Sequence, residues 1–263
     1  MLFVFFVAVF QYCQDSGSGF GRYMMRMKRV SAVCLTLIAV TVLSACATEP
    51  VTPTTQDPVR VTTAPTPTPT PSTDFVTFNI EAADGATLVG HFYPPESSPA
   101  PVVLLLHMWQ RQKEDWAAFA SRLQQEGYAA MTLDLRGHGE SEGTAEGPLD
   151  QRLWTDDILR TWTVMAEQPS VDMERTAIVG ASIGANLALR VGAIEERIQA
   201  VVLLSPGLDY HGITTLEAME VYGERPALIV ASQDDPPAAE AAQELARGGQ
   251  ALTIYPAGTA QSC

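Results

Sequence analysis

From residue 75 onward the chain alternates short apolar runs with longer amphipathic stretches, and the alternation continues to about residue 255. Residues 75–80 and 88–93 read as two strands around the turn Asp84-Gly85. Residues 102–106 are an unbroken apolar run, as a strand buried on both faces requires. Residues 114–126 carry Trp116, Phe119 and Leu123 at helical spacing and predict a helix. A strand over 128–133, a Gly-rich loop and a helix over 151–167 follow. Strands at 176–179, 200–204, 227–231 and 252–255 then alternate with helices at 183–194 and 238–247. This order predicts an α/β domain, with a mostly parallel central sheet flanked by helices on both faces. Its site is expected at the carboxyl ends of the strands. The stretch 208–224 is too short for a sizeable lid domain.

The segment before residue 74 has a different character. Arg26, Lys28 and Arg29 precede an apolar stretch over 30–43, which is short for a membrane span and reads as a secretion signal. It ends in Leu43-Ser44-Ala45-Cys46, which resembles the lipobox of bacterial lipoproteins, so Cys46 is the expected lipidation site. An uncleaved anchor with an incidental cysteine is the plainer alternative. Residues 48–73 hold 10 Thr and 7 Pro and cannot bury a core, which predicts an extended spacer. The expected organisation is therefore 1–45 as N-terminal extension and signal peptide, 46–73 as lipidated cysteine and linker, and 74–263 as the folded domain. That places the domain outside the cytoplasm, held to the bacterial cell membrane only through the N-terminal lipid.

Charge narrows the partners. The 16 basic and 30 acidic residues give a net charge of −14, the wrong sign for a nucleic-acid partner. With 46% apolar residues the chain can form a real core. Its four cysteines and four histidines (His91, His107, His138, His211) are scattered, which argues against a disulfide scaffold, a metal site or any cofactor.

The chemistry concentrates in Gly-x-Ser-x-Gly, which occurs twice, as Gly180-Ala181-Ser182-Ile183-Gly184 and as Gly139-Glu140-Ser141-Glu142-Gly143. Only the first lies between an apolar strand and a helical stretch, the context that holds a serine hydroxyl out on a tight turn. Ser141 lies in a loop. Ser182 is therefore the candidate nucleophile, against the blander reading of a structural serine.

Over about residues 75–258 these features resemble the α/β-hydrolase superfamily. Leu133-Asp134-Leu135-Arg136-Gly137-His138-Gly139-Glu140-Ser141 is similar to the loop after strand four in its esterase, lipase and serine-aminopeptidase-like branches. Val171-Asp172-Met173-Glu174-Arg175 is similar to the run before the family's fifth core strand. Leu105-Leu106-His107-Met108-Trp109 stands where the family has its oxyanion loop, closest to dienelactone-hydrolase and small-esterase forms, with Met108 departing from the commoner His-Gly pair. The resemblance implies an oxyanion hole from the amide of Ile183 and one near Met108 or Trp109. It implies a triad acid after the strand at 227–231, with Asp234 favoured, Asp235 as a helix cap and Asp209 as a loop residue. His107 is expected to be a framework residue of the oxyanion loop, and His91 a strand residue.

The resemblance also implies a histidine after the last strand, where Gln261 stands instead, and no histidine follows His211. Three readings remain open: a domain incomplete at its C-terminal end, a pseudoenzyme, or a replacement base, His138 or His211. The expected function is a lipid-anchored extracytoplasmic serine hydrolase, carboxylesterase-like and acting on small or short-acyl esters. The alternative is a non-catalytic surface lipoprotein that binds a small ligand.

Overall fold

The computed structural model describes residues 74–145 and 150–255. The expected signal segment, Cys46, the expected Thr/Pro spacer and Gln261 lie outside the described residues. No helix among the described residues is long and apolar enough to cross a membrane.

Eight strands form one sheet: β1 (Val76–Glu81), β2 (Thr87–Tyr93), β3 (Ala100–Leu106), β4 (Ala129–Leu133), β5 (Val171–Ala181), β6 (Ala200–Leu204), β9 (Ala227–Ser232) and β10 (Ala251–Tyr255). Their spatial order is β1-β2-β4-β3-β5-β6-β9-β10. β1 and β2 pair antiparallel with their neighbours, and all later pairings are parallel. The helices are α1 (Ala117–Gln125), α2 (Gln151–Ala166), α3 (Ile183–Ile194), α4 (Leu216–Tyr222) and α5 (Pro236–Leu245).

The unbroken apolar run of β3 has a direct explanation. Val102, Leu104 and Leu106 pack on one face with Trp154, Ile158 and Leu187 of α2 and α3. Val103 and Leu105 pack on the other with Phe119 and Leu123 of α1. Because successive side chains point to opposite faces, a strand covered on both sides must be apolar throughout.

The expected elements are present with small shifts and three additions, all between β6 and β9. The helix expected from residue 114 begins as a 3₁₀ turn, Lys113–Trp116, before α1. Asp134 fixes that turn by accepting from the Lys113 amide (2.7 Å) and from its ammonium (2.8 Å). The 171–175 run belongs to β5 itself, whose register with β3 shifts between Pro101 and Val102. The 208–224 stretch after β6 contains β7 (Asp209–Tyr210), β8 (Ile213–Thr214) and α4, and no lid domain stands there.

Candidate active site

Ser182 occupies the turn between β5 and α3 with φ 53° and ψ −120°, a conformation that is costly for any residue with a side chain. The surroundings enforce it. The Ser182 amide donates to the Leu204 carbonyl at the end of β6 (2.8 Å), while its own carbonyl accepts from Ala185 and Asn186 as α3 begins. A Cβ on Gly180 would collide with the Gly184 backbone, and one on Gly184 would lie 2.5 Å from the Leu106 carbonyl oxygen. Both glycines are therefore required for β5, α3 and the end of β3 to meet this closely.

The end of β3 runs into the expected oxyanion loop, and His107 holds that loop in place. The ring is 1% exposed. Its Nδ1 bonds the Met108 carbonyl (2.7 Å), and its Nε2 accepts from the Leu135 amide (2.9 Å). An acceptor role at Nε2 fixes the tautomer with the proton on Nδ1. Burial pushes the pKa down to about 4, so the ring is neutral at physiological pH. The Met108 carbonyl also accepts from Arg111 (3.2 Å). With that carbonyl tied inward, the Trp109 amide in the same planar trans peptide points the opposite way. Ile183 lies at the first position of α3, where backbone amides have no partner within the helix.

The second Gly-x-Ser-x-Gly is a structural loop. Ser141 is buried; its hydroxyl donates to the Asp134 carbonyl (2.7 Å) and accepts from the Val89 amide (2.9 Å). Arg136 pairs with buried Asp157 of α2 through Nε and Nη2 (both 2.7 Å) and with Asp84 of the β1–β2 turn (2.8 Å). Burial alone would push the Lys113 pKa down, but hydrogen bonds from its ammonium to Asp134, Glu140 and Glu114 hold it above the usual lysine range. His91, Glu114 and Glu140 could together offer three metal-ligand atoms, but Lys113 already sits 2.6 Å from Glu140 and 3.0 Å from Glu114 as the resident cation.

After β9, Asp235 caps α5 by accepting from the Ala238 amide, with Pro236 as the first helical residue. Asp234 is exposed beside it, its amide donating to the Ser232 hydroxyl (3.0 Å). β5, β6 and β9 are successive neighbours, so the elbow and this loop leave the same edge of the sheet. Asp209 opens the β7–β8 hairpin and binds the Gly212 amide (2.7 Å), a loop role.

The structure also shows where the remaining histidines go. His91 stacks on Phe75 with centroids 3.9 Å apart. The His138 Nδ1 bonds the Arg136 carbonyl (3.0 Å), and its ring meets Trp109 edge-on at 5.1 Å. His211 stacks on Trp109 at 4.3 Å. Tyr210, which the sequence reading did not single out, donates its phenol proton to the Ser205 carbonyl just past β6 (3.3 Å). A cavity of about 840 Å³ opens beside Trp109 and His138, with a mainly polar lining that includes Gln110, Arg111 and Thr144.

A serine on a strained strand-to-helix turn, at the carboxyl edge of a mostly parallel sheet with this strand order, defines an α/β hydrolase. Within that class, residues 97–246 match the family described as serine aminopeptidase, S33, and the chain belongs to it. The thiohydrolase aneE of Aspergillus aculeatus is 27% identical over 157 residues, covering 56% of this chain and 48% of its own. The esterase FrsA of Yersinia pestis is 32% identical over 135 residues, covering 50% of this chain and 31% of its own. The chain thus spans half or less of the length of these relatives. Among solved structures, Est1E from Butyrivibrio proteoclasticus with ferulic acid bound superposes with a TM-score of 0.57 at 19% identity. That match covers 67% of this chain and 88% of the other. The Pyrococcus furiosus esterase Pf2001 gives 0.57 at 19% identity, covering 70% and 82%.

Proposed function

We propose that this protein is a serine hydrolase of small-molecule esters, with Ser182 as nucleophile. The observation that carries the reading is the backbone of Ser182, held at φ 53° between two glycines whose side-chain-free surfaces let three elements converge. Attack of Oγ on a carbonyl carbon would place the developing oxyanion toward the first amide of α3, at Ile183, and the oxyanion-loop amides at Met108 and Trp109. Neutral His107 keeps that loop fixed without adding charge to it. Asp234, at the end of β9, is the proposed acid, positioned to orient a base. Esterase relatives support a small ester as substrate. The polar cavity beside Trp109 is proposed to take the part of the substrate away from the scissile bond. The lipobox-like run supports anchoring through Cys46 on the outer side of a bacterial membrane.

A second reading rests on one observation, the polar cavity of about 840 Å³ beside Trp109. A ligand-binding protein without turnover would have that feature. The test is p-nitrophenyl acetate hydrolysis with Ser182→Ala as control, alongside labelling by a fluorophosphonate probe and peptide mapping. Label on Ser182 with Ser182-dependent turnover supports the hydrolase. Label without turnover favours the binding protein, and no label on Ser182 overturns the nucleophile assignment. Mass spectrometry of detergent-extracted protein tests the anchor; an unmodified Cys46 would sink it.

A further inference from the structure

The cavity beside Trp109 is walled by two loops, one running on from β3 as far as Asp115 and the other spanning 137–145. Trp109 joins it to the elbow, since its amide belongs to the proposed oxyanion loop while its indole lines the cavity. The indole is held in place by three rings. His211 stacks on it at 4.3 Å, Trp154 lies nearly parallel at 6.1 Å, and His138 meets it edge-on at 5.1 Å. Trp109 is therefore a fixed wall between the oxyanion loop and the cavity.

The residues beyond it carry the chemistry. Gln110 has φ 58°, in the left-handed region that costs any residue with a Cβ. It stands third in the turn that the Arg111 amide closes on the Met108 carbonyl (3.2 Å), where a positive φ calls for glycine. Its side chain is exposed and makes no hydrogen bond among the described residues, so neither packing nor capping accounts for a glutamine there. Gln112 stands at the N-cap of the 3₁₀ turn, yet its side chain makes no cap bond either. Between them, Arg111 closes on Asp115 through Nε (2.6 Å) and Nη2 (3.0 Å). The cavity thus presents two uncommitted carboxamides and an ion pair whose charges cancel.

We propose that this cavity receives an uncharged, hydroxyl-rich group, such as a saccharide unit, as the alcohol part of the ester, with Gln110 as a specificity-determining residue. This inference rests on the reading of Ser182 as nucleophile. A carboxamide both donates and accepts, as an alcohol hydroxyl does, so the two pair in either sense. A carboxylate only accepts and an ammonium only donates, and each would need a countercharge that Arg111 and Asp115 already spend on each other. The net charge of −14 works further against an anionic group. An alkyl chain would strip water from the carboxamides and return no hydrogen bond. At about 840 Å³ the space lies within the usual range for small-molecule sites. The strain at Gln110 then has a purpose, because glycine would relax the turn but remove the carboxamide.

The test measures the rate of Ser182 labelling by four fluorophosphonates that differ only in the alcohol on phosphorus: methyl glucoside joined through its O6, hexyl, aminohexyl and carboxypentyl. Ser182→Ala is the control. The glucoside probe is expected to label about tenfold or more faster than each of the others at low concentration, the worth of two or three hydrogen bonds. In Gln110→Gly the ratio of glucoside to hexyl rates should fall about 3- to 10-fold, the worth of one. Because it is a ratio within one variant, differences in folding or in Ser182 reactivity cancel. The urea midpoint of Gln110→Gly should hold or rise, since glycine takes the positive φ without strain, whereas a merely structural glutamine would lower it and leave the ratio unmoved. Gln112→Ala should lower the same ratio, and it serves if Gln110→Gly fails to fold. Equal labelling by the glucoside and hexyl probes, faster labelling by either charged probe, or a ratio unmoved in both variants overturns the inference alone. No label on Ser182 from any probe overturns the nucleophile reading, and the inference with it.

Discussion

His107 should make the stability of the domain fall in acid by an amount that a single substitution can isolate. The ring is buried with both nitrogens engaged, and its pKa drops from 6.5 to about 4. The fold therefore binds this proton more weakly than the unfolded chain does. The stabilisation is fully present above the unfolded value of 6.5 and is lost as pH falls from there toward 4. Between pH 7 and 4.5 the loss comes to about 2 kcal/mol. With a urea slope of about 2 kcal/mol per M, the unfolding midpoint moves by about 1 M. His107→Gln is the comparison, since glutamine offers a donor and an acceptor but takes up no proton. Urea unfolding followed by tryptophan fluorescence at both pH values gives four midpoints, and contributions from carboxylates common to both chains cancel. The native midpoint should fall by about 1 M more than the variant's. Equal falls would show that the imidazole is not held neutral by the fold, and the account of the oxyanion loop would fail with it.

Ser141→Ala leaves the Val89 amide and the Asp134 carbonyl without their buried partner, so urea unfolding should show a loss of about 1–3 kcal/mol, while probe labelling of Ser182 is unchanged. Gly184→Ala would gain stability if helix propensity alone mattered, by about 1 kcal/mol. With backbone oxygens of Leu106 and His107 at 2.5 and 2.6 Å from the new Cβ, it should instead lose about 1–3 kcal/mol together with Ser182 labelling, and a gain would sink the close-contact account. Arg136→Met should cost about 3–5 kcal/mol by stranding buried Asp157, and adding Asp157→Leu should recover most of it; a double variant no better than the single would refute the pairing.

Much of this architecture was legible in the chain because the strands of a doubly covered sheet must be apolar throughout, as 102–106 and 200–204 are. The elbow was legible for a similar reason, since the two glycines flank a serine between an apolar strand and a helix. Asp235-Pro236 gave the cap of α5 directly. The hairpin at 209–214 was not legible: its strands are two residues long, and its turn is His211-Gly212 where Asn-Gly would have been the recognisable signal. The role of Asn186 was hidden with it, because nothing in local sequence records that this buried side chain of α3 will bond Ile213 and Gly207 on either side of the hairpin. The 3₁₀ turn at 113–116 escaped for a different reason, since helical periodicity does not show that Asp134 will claim both the amide and the ammonium of Lys113.

The backbone of Ser182 sets stability and the proposed chemistry against each other at one residue. A non-glycine residue in such a conformation carries a standing cost of about 1–3 kcal/mol, and glycine would relieve it. A chain shaped only by the need to fold would have glycine at 182, continuous with the glycines two residues to either side. The domain is thus less stable than its own architecture permits, by roughly what it takes to keep one hydroxyl pointing out of the turn.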